Sequence, residues 1–240
     1  MQNTRIEILS TRPLDQSLID AAGACGIDIE TISFIETEPI IDNLIKNRIA
    51  SLSSEHINAV FTSMNAVEAV SAAIQTSPKW KIGSIGTTTQ KLIEKELKDS
   101  SVIATGNNAA DLAHRLALIV DDKKIIFFCG NQRRDELPSI LKDHGIEVEE
   151  IVVYRTIPQT IRINKQYDGV AFYSPSAVDS FFSVNELNAS TIVFSIGATT
   201  SEAIRKYVDN KIIVTQQPGK ENLVDRIIDY YTSTQKPVNS

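Results

Sequence analysis

The chain has 240 residues, of which 42% are hydrophobic and 22% are charged. These values are typical of a globular protein with one large domain or two domains of about 100–120 residues. The net charge of −6, without a long run of one sign, argues against nucleic acid as a partner, which needs a concentrated basic face. No apolar run approaches the ~20 residues of a membrane-spanning helix. The first ten residues lack a signal-peptide pattern, so we expect a cytoplasmic protein.

The elements alternate between short apolar runs and amphipathic stretches. A strand at Ile6–Leu9 precedes a helix at Leu14–Cys25, which Gly26 ends. Further strands are predicted at Asn58–Thr62, Lys81–Ile85, Ser101–Ala104, Lys124–Cys129, Glu147–Tyr154, Tyr167–Tyr173, Thr191–Ile196 and Lys211–Thr215. Helices are predicted at Met64–Gln75, Thr88–Lys98, Ala109–Val120, Arg134–His144, Ser176–Val184, Thr199–Val208 and Glu221–Tyr231. This alternation predicts an α/β fold with parallel sheets, and a disordered tail is expected at Thr232–Ser240.

Cysteine and histidine usage gives no sign of a disulfide or a metal site. Cys25 and Cys129 each lie within an apolar stretch, and we interpret them as buried thiols in a reducing compartment. The histidines, His56, His114 and His144, are scattered and share no metal-ligand spacing. Gly-rich phosphate motifs and the nucleophile elbow are also missing.

An internal repeat is the most informative feature of the sequence. The segments beginning at Phe61 and Ile85 resemble those beginning at Phe172 and Ile196, and both pairs are separated by 111 residues. Leu112 and Leu223 show the same separation. The same strand–helix–strand–helix–strand–helix unit therefore occurs twice.

The two copies are laid out unevenly along the chain. The first is followed by an extra strand and helix, and only the N-terminal strand and helix can supply the counterpart for the second. We therefore predict a discontinuous lobe of residues 1–36 plus 158–240, with an inserted lobe at 39–152. The crossover linkers near 34–39 and 153–159 look extended and could pair as a ribbon. A cleft between such lobes is the default ligand site.

Hydroxyl groups and glycines follow the strands in both copies. In a parallel sheet these loops share the carboxyl edge, where helix N-termini favour anions. The residues concerned are Thr62, Ser63, Gly86, Thr87, Thr88, Ser174, Ser176, Gly197, Thr199 and Thr200. An alternative is that Ser63, Thr88, Ser174 and Thr199 only cap their helices, and the two roles are compatible.

A second group of candidates follows other strands. Gly130-Asn131 ends a buried strand, and Arg12 follows the first one. Arg133 and Arg134 could reach carboxylates or could be ordinary solvated side chains, and Tyr154 lies in a predicted crossover strand.

Taken together, the motifs resemble the uroporphyrinogen-III synthase family over nearly the whole chain. The matching segments are Phe61-Thr62-Ser63, Ile85-Gly86-Thr87-Thr88, Gly130-Asn131 with Arg134 and Leu137-Pro138, Val153-Tyr154-Arg155-Thr156, Tyr173-Ser174-Pro175-Ser176 and Ile196-Gly197-Ala198-Thr199-Thr200. The resemblance implies two flavodoxin-like lobes joined by a two-stranded β ladder. It also implies a monomeric, cofactor-free and metal-free lyase that closes hydroxymethylbilane while inverting its last pyrrole.

The resemblance assigns roles to the candidate residues. Tyr154 would aid loss of the substrate hydroxyl, and Arg12, Gly130, Asn131 and the hydroxyl-bearing loops would bind its eight carboxylates. A basic residue is common in the family near Asn65 and is missing here. Two other interpretations stay open: a two-lobed protein that binds a small anion without catalysis, and a group-transferring enzyme with two nucleotide-binding lobes.

Overall fold

The computed structural model describes residues 5–234. The chain divides into two compact units, which we name the flanking unit (residues 5–36 and 157–234) and the inserted unit (residues 37–156). Within the described range, no helix has both the length and the apolar character needed to cross a membrane.

The flanking unit contains a five-stranded parallel sheet. Its strands are β1 (Ile6–Ser10), β2 (Ile27–Thr31), β9 (Gly169–Phe172), β10 (Ile192–Ser195) and β11 (Ile212–Val214). Its helices are α1 (Gln16–Ala24), α7 (Pro175–Phe182), α8 (Ala198–Ile204) and α9 (Lys220–Thr234). The spatial order β2-β1-β9-β10-β11 is the flavodoxin-like order. All strands are parallel, but from β1 the chain adds β2 on one side and then β9, β10 and β11 on the other, so the strand order reverses between β1 and β9.

The inserted unit repeats this arrangement with the elements in a different chain order. Its strands are β4 (Asn58–Phe61), β5 (Lys81–Ile85), β6 (Ser101–Gly106), β7 (Lys124–Gly130) and β8 (Glu147–Pro158), whose last two residues lie beyond the unit boundary. Its helices are α2 (Asn43–Ser53), α3 (Met64–Ala73), α4 (Gly86–Glu96), α5 (Ala109–Ile119) and α6 (Glu136–Asp143). The order β8-β7-β4-β5-β6 places β7 and β8 where the flanking unit has β1 and β2. The predicted repeat therefore corresponds to two copies of one topology.

A two-stranded ladder runs along the chain segments that connect the units. The strand β3 (Ile35–Pro39) is the hydrogen-bonded neighbour of β8. Main-chain hydrogen bonds from Ile40 to Val153 (2.8 Å) and from Gln159 to Phe34 (2.9 Å) extend this pairing beyond β3. The predicted fold class, α/β with two flavodoxin-like lobes and a β ladder, is confirmed.

Each sheet is covered by apolar side chains on both faces. In the inserted unit, Phe128 stacks between Phe61 and Trp80, with ring centroids 5.1 Å and 5.4 Å away. The indole of Trp80 is 1% exposed, and its N–H donates to the Leu52 carbonyl at 2.9 Å, so its one polar atom is satisfied. Burying large rings on both faces fixes the central strands and thus the loops that follow them.

Several predictions about individual elements are wrong. Both β2 and α2 were missed, and α4 begins at Gly86, two residues before the predicted start. The predicted tail is helical as far as Thr234, because α9 continues to that residue, and the rest of it lies outside the described residues.

The buried-thiol interpretation holds for only one cysteine. Cys129 is 1% exposed, and burial raises its pKa to about 12. Cys25 is exposed, because it is the C-cap of α1 and precedes the turn at Gly26, whose φ is 77°. Two of the histidines are not scattered: the rings of His114 and His144 lie 5.8 Å apart.

Candidate functional site

The carboxyl edge of the inserted sheet collects the residues predicted from three separate loops. Thr62 and Ser63 follow β4, Gly86 begins the helix after β5, and Asn131 follows β7. The strands β4 and β7 are paired neighbours at the point where the strand order reverses. In open α/β sheets, ligands bind in the crevice at this reversal.

Serine caps precede the first helix of each repeat copy. The Ser63 Oγ accepts a hydrogen bond from the main chain of Asn65 at 3.2 Å, and the Ser174 Oγ accepts one from Ala177 at 3.2 Å. Ser63 and Ser174 therefore cap their helices. Both residues are half-buried rather than fully covered, so capping and ligand binding are compatible roles for them.

The threonine caps are not formed. Thr88 and Thr199 lie inside α4 and α8, whose N-cap residues are Ile85 and Gly197 and have no side-chain cap. Thr88 is exposed together with Thr87, and Gly86 has a φ of 72°, which favours glycine at this turn. The exposed hydroxyls at the start of α4 are thus available to a ligand.

Tyr154 lies against the end of the neighbouring strand β7. It is paired in register with Gly130, and an added Cβ at Gly130 would lie 2.4 Å from Cζ of the Tyr154 ring. The Asn131 main chain donates to the Tyr154 carbonyl at 3.1 Å, and its side-chain oxygen accepts from the Thr156 main chain at 2.9 Å. These contacts hold the half-buried ring at the carboxyl edge. Asn131 therefore supports the strand that carries Tyr154.

A groove of about 380 Å³ opens beside Tyr154 within the inserted unit. One wall is the alanine-rich face of α3, and the other walls come from β3 and α2. The lining residues are Thr37, Glu38, Pro39, Ile41, Lys46, Asn65, Glu68, Ala69, Ala72, Ala73 and Tyr154. Sequence reasoning missed this groove, because α2 was not predicted and the alanines gave no sign beyond a helix surface.

In the flanking sheet, the strand order reverses between β1 and β9, as it does between β7 and β4 in the inserted sheet. Arg12 lies at the carboxyl edge at this point, two residues after β1 ends. The preceding residue is tied to β9: the Thr11 N–H and hydroxyl both donate to the Ala171 carbonyl, at 3.0 Å and 2.9 Å. The Arg12 guanidinium lies over the ring of Tyr173, with Cζ 5.7 Å from the centroid. Tyr173 was not among the predicted site residues.

The other predicted residues of this edge differ in accessibility. Ser176 and Thr199 are half-buried, whereas Thr200 is 4% exposed and points into the unit. Gly197 has an extended backbone, with a φ of 176°, and accepts a hydrogen bond from the Ser195 hydroxyl at 2.8 Å. The equivalent glycines of the two copies, Gly86 and Gly197, thus adopt different conformations.

The arginines named from the sequence have unequal surroundings. Arg133 is paired with Glu150 and Asp135, and Arg155 is paired with Glu38 at 2.9 Å. These carboxylates neutralise charge that an anionic ligand would otherwise meet. Arg12, in contrast, makes no ion pair with the residues from 5 to 234.

A metal site would need a cluster of ligand side chains. No group of three or more His, Cys, Asp or Glu side chains in the described part of the chain could hold a metal ion. The candidate groups are hydroxyls, main-chain amides, a phenol and a guanidinium, which bind carboxylates by hydrogen bonding and charge.

A family model described as uroporphyrinogen-III synthase HemD matches residues 16–225. The chain belongs to the uroporphyrinogen-III synthase family. Enzymes of this family are cyclising hydro-lyases of heme biosynthesis that act on hydroxymethylbilane.

Relatives of known identity match this chain over nearly its full length. Uroporphyrinogen-III synthase from Schizosaccharomyces pombe is 21% identical, over 92% of this chain and 94% of that protein. The crystal structure of uroporphyrinogen-III synthetase from Helicobacter pylori has a TM-score of 0.68 at 15% identity, covering 94% of this chain and 99% of the other. A mutant synthase from Thermus thermophilus has a TM-score of 0.67 at 16% identity, covering 97% and 100%. These structures share the fold of this chain.

Proposed function

We propose that this member of the family closes hydroxymethylbilane to uroporphyrinogen III, with Tyr154 assisting departure of the substrate hydroxyl. The observation that carries the proposal is the position of Tyr154. The ring is fixed against Gly130 at the carboxyl edge, beside the strand-order reversal, and it lines the groove. A phenol held there can donate a proton or a hydrogen bond to a leaving group.

The chemistry demands little acid–base machinery. The nitrogen electron pair of the pyrrole that carries the hydroxymethyl group expels the hydroxyl, which leaves as water once it has received a proton. Loss of the N–H proton of that pyrrole leaves an electrophilic azafulvene. The last pyrrole attacks through its substituted carbon to give a spiro intermediate, and fragmentation with reclosure inverts that ring. The substrate supplies the nucleophiles, so the protein must hold one folded conformation and exclude the uninverted closure.

The binding groups are proposed from both sheet edges. Thr62, Ser63, Gly86, Thr87 and Thr88 would serve in the inserted unit. In the flanking unit Arg12, Ser174, Ser176, Gly197 and Thr199 would do so. Their accessible hydroxyls and main-chain amides suit carboxylate side chains without a large positive charge. We propose supporting roles for Asn131, which binds Thr156, and for the buried Thr200.

The test is the isomer of the product. Purified protein incubated with freshly made hydroxymethylbilane is expected to yield the type III ring, measured against spontaneous closure without protein. Formation of the type I isomer alone would refute the proposed activity. The same assay separates the synthase from a binding protein without catalysis, which the family membership does not favour.

We further propose that the enzyme acts as a monomer in the cytoplasm. The exposed free thiol of Cys25 and the buried free thiol of Cys129 suit a reducing compartment. Light scattering of the purified chain would test the monomer, and a higher mass at micromolar concentration would contradict it.

A further inference from the structure

Tyr173 carries a polar atom that the fold leaves without a partner. The residue follows β9 and is 9% exposed, and its hydroxyl is buried with no hydrogen-bond partner among residues 5–234. Leaving a buried donor unsatisfied is costly, so such groups in a native protein call for an explanation. At the equivalent position, 111 residues earlier, the inserted unit has the smaller, half-buried Thr62.

A cation lies over the ring that carries this hydroxyl. The guanidinium of Arg12 lies over the Tyr173 ring, and the Arg12 main chain is anchored because the Ser10 hydroxyl donates to the Arg12 carbonyl at 2.7 Å. The neighbouring Thr11 is fixed to β9 through two hydrogen bonds to Ala171. The structure therefore brings a cation with no ion pair in the described chain over the ring of a residue whose hydroxyl is unsatisfied, on a fixed turn at the strand-order reversal.

The phenol keeps its proton at neutral pH. Burial raises the pKa of Tyr173, the neighbouring Ser10 and Arg12 oppose this rise only in part, and the charge of Glu221 adds to it. The group is thus a donor, and an acceptor is what the site lacks. The Ser10 hydroxyl is a neighbour of Tyr173, but it donates to the Arg12 carbonyl, and the structure shows no hydrogen bond between the Tyr173 and Ser10 hydroxyls.

We propose that Tyr173 and Arg12 form a single carboxylate-binding site, in which the phenol donates to one oxygen of the ligand and the guanidinium pairs with the carboxylate. The inference rests on the proposed function, because it assigns this site to one carboxylate side chain of the substrate. Since the hydroxyl is covered in the ligand-free protein, the side chains around it must shift to admit the ligand. Tyr173 is a binding residue in this scheme and takes no part in bond breaking.

The test compares two buried tyrosines of the flanking unit in the full-length protein. Tyr173→Phe removes the unsatisfied hydroxyl. The control is Tyr231→Phe: Tyr231 is similarly buried, at 8% exposed, but its hydroxyl donates to the Asp168 carbonyl at 2.9 Å. We expect Tyr173→Phe to raise KM for hydroxymethylbilane about 10-fold, with kcat within about 2-fold and Tm unchanged or higher. Tyr231→Phe should lower Tm and leave KM unchanged.

A second variant tests whether the two groups share one ligand. Arg12→Gln should raise KM, and adding Tyr173→Phe to it should have a much smaller effect than Tyr173→Phe alone, because the carboxylate is already lost. Independent effects that multiply would overturn the shared site. A lower Tm with an unchanged KM in Tyr173→Phe would also overturn it, and would show that the phenol bonds to Ser10.

Binding of uroporphyrin III, a stable compound with eight carboxylates, separates this proposal from the proposed activity. Fluorescence titration should show about 10-fold weaker binding in Tyr173→Phe than in the wild type. If the wild type makes the type III isomer but both proteins bind uroporphyrin equally, the site is wrong and the activity stands. If no type III isomer forms but binding weakens in the variant, the site stands and the activity is wrong.

Discussion

The main chain of Gly130 lies directly beneath the ring of Tyr154, and no other residue type fits there without moving that ring. An added Cβ would lie 2.4 Å from Cζ and 2.8 Å from the hydroxyl oxygen. Both distances are far below an ordinary contact, and Gly130 is buried. The glycine therefore sets the position of the phenol as well as ending β7.

Replacing Gly130 by alanine should impair catalysis through Tyr154. We expect Gly130→Ala to lower kcat about as much as loss of the phenol, and to lower the free energy of unfolding by about 1–3 kcal/mol. Steady-state rates and urea unfolding would measure these effects. Gly23→Ala is the control, because its Cβ would meet only Arg5, at 3.8 Å; it should raise stability by about 0.4–1 kcal/mol and leave kcat unchanged. An unimpaired Gly130→Ala enzyme would contradict the prediction.

Removing the hydroxyl of Tyr154 should reduce turnover far more than stability. We expect Tyr154→Phe to lower kcat about 10²-fold or more, as for loss of a general acid, with Tm changed by less than about 2 °C. The rate of type III isomer formation and a thermal melt are the measurements. Tyr207→Phe serves as the control, because its exposed hydroxyl bonds only to Asp179 at 3.0 Å. Equal losses of rate and stability would make Tyr154 a structural residue.

The serine caps offer a way to separate capping from substrate binding. Ser63→Ala, Ser174→Ala and Asp42→Ala each remove a cap, and each should cost about 1 kcal/mol of stability. Only the two serine variants should also raise KM, since the Asp42 carboxylate would repel an anionic substrate. The same KM in all three variants would leave the serines as caps alone.

The ion pair between Glu149 and Arg48 should make stability depend on pH. The Glu149 carboxylate accepts hydrogen bonds from Arg48 and Lys124, and these bonds lower the pKa of Glu149 to about 2. A carboxylate with a depressed folded-state pKa stabilises the protein above its unfolded value, and this contribution is lost as the pH falls toward 2. We expect Glu149→Gln to cost about 1–2 kcal/mol at pH 7, with the difference from wild type shrinking below about pH 4.

Urea unfolding at several pH values would check this prediction. Glu147→Gln is the matched control on the same strand, since that carboxylate is 71% exposed and lies 3.7 Å from Lys124. It should have little effect at any pH. A Glu149→Gln penalty that persists unchanged near pH 2 would point to lost packing instead of lost charge.

The fold was predictable because the repeat carries local signals twice. The buried strand ending at Phe61 and its copy ending at Phe172 are each followed by a hydroxyl residue that begins a helix. Such a pattern depends on neighbouring residues, which a sequence displays directly. The second copy lacks the extra strand and helix that follow the first copy. That difference predicted that the N-terminal strand joins the sheet of the second copy.

Other features depend on contacts that are distant in sequence. The strand β2, at the edge of its sheet, is only five residues long and was missed, although its alternation of isoleucine with charged side chains is the pattern of a half-buried strand. Tyr173 looks like any residue ending a buried strand, and its unsatisfied hydroxyl emerges only once Arg12 and Ser10 are placed around it. The pairing of Arg133 and Arg155 with glutamates was equally invisible in the sequence.

The position of β1 in its sheet determines the order in which the two units can fold as the ribosome releases the chain. The strand pairs with β2, which is made at once, and with β9, which emerges only after residues 37–156. Two parallel strands and one helix are too few to stay folded alone, whereas the intervening segment carries its own five parallel strands. We therefore expect the middle of the nascent polypeptide to fold first, while the amino-terminal segment waits for its partners.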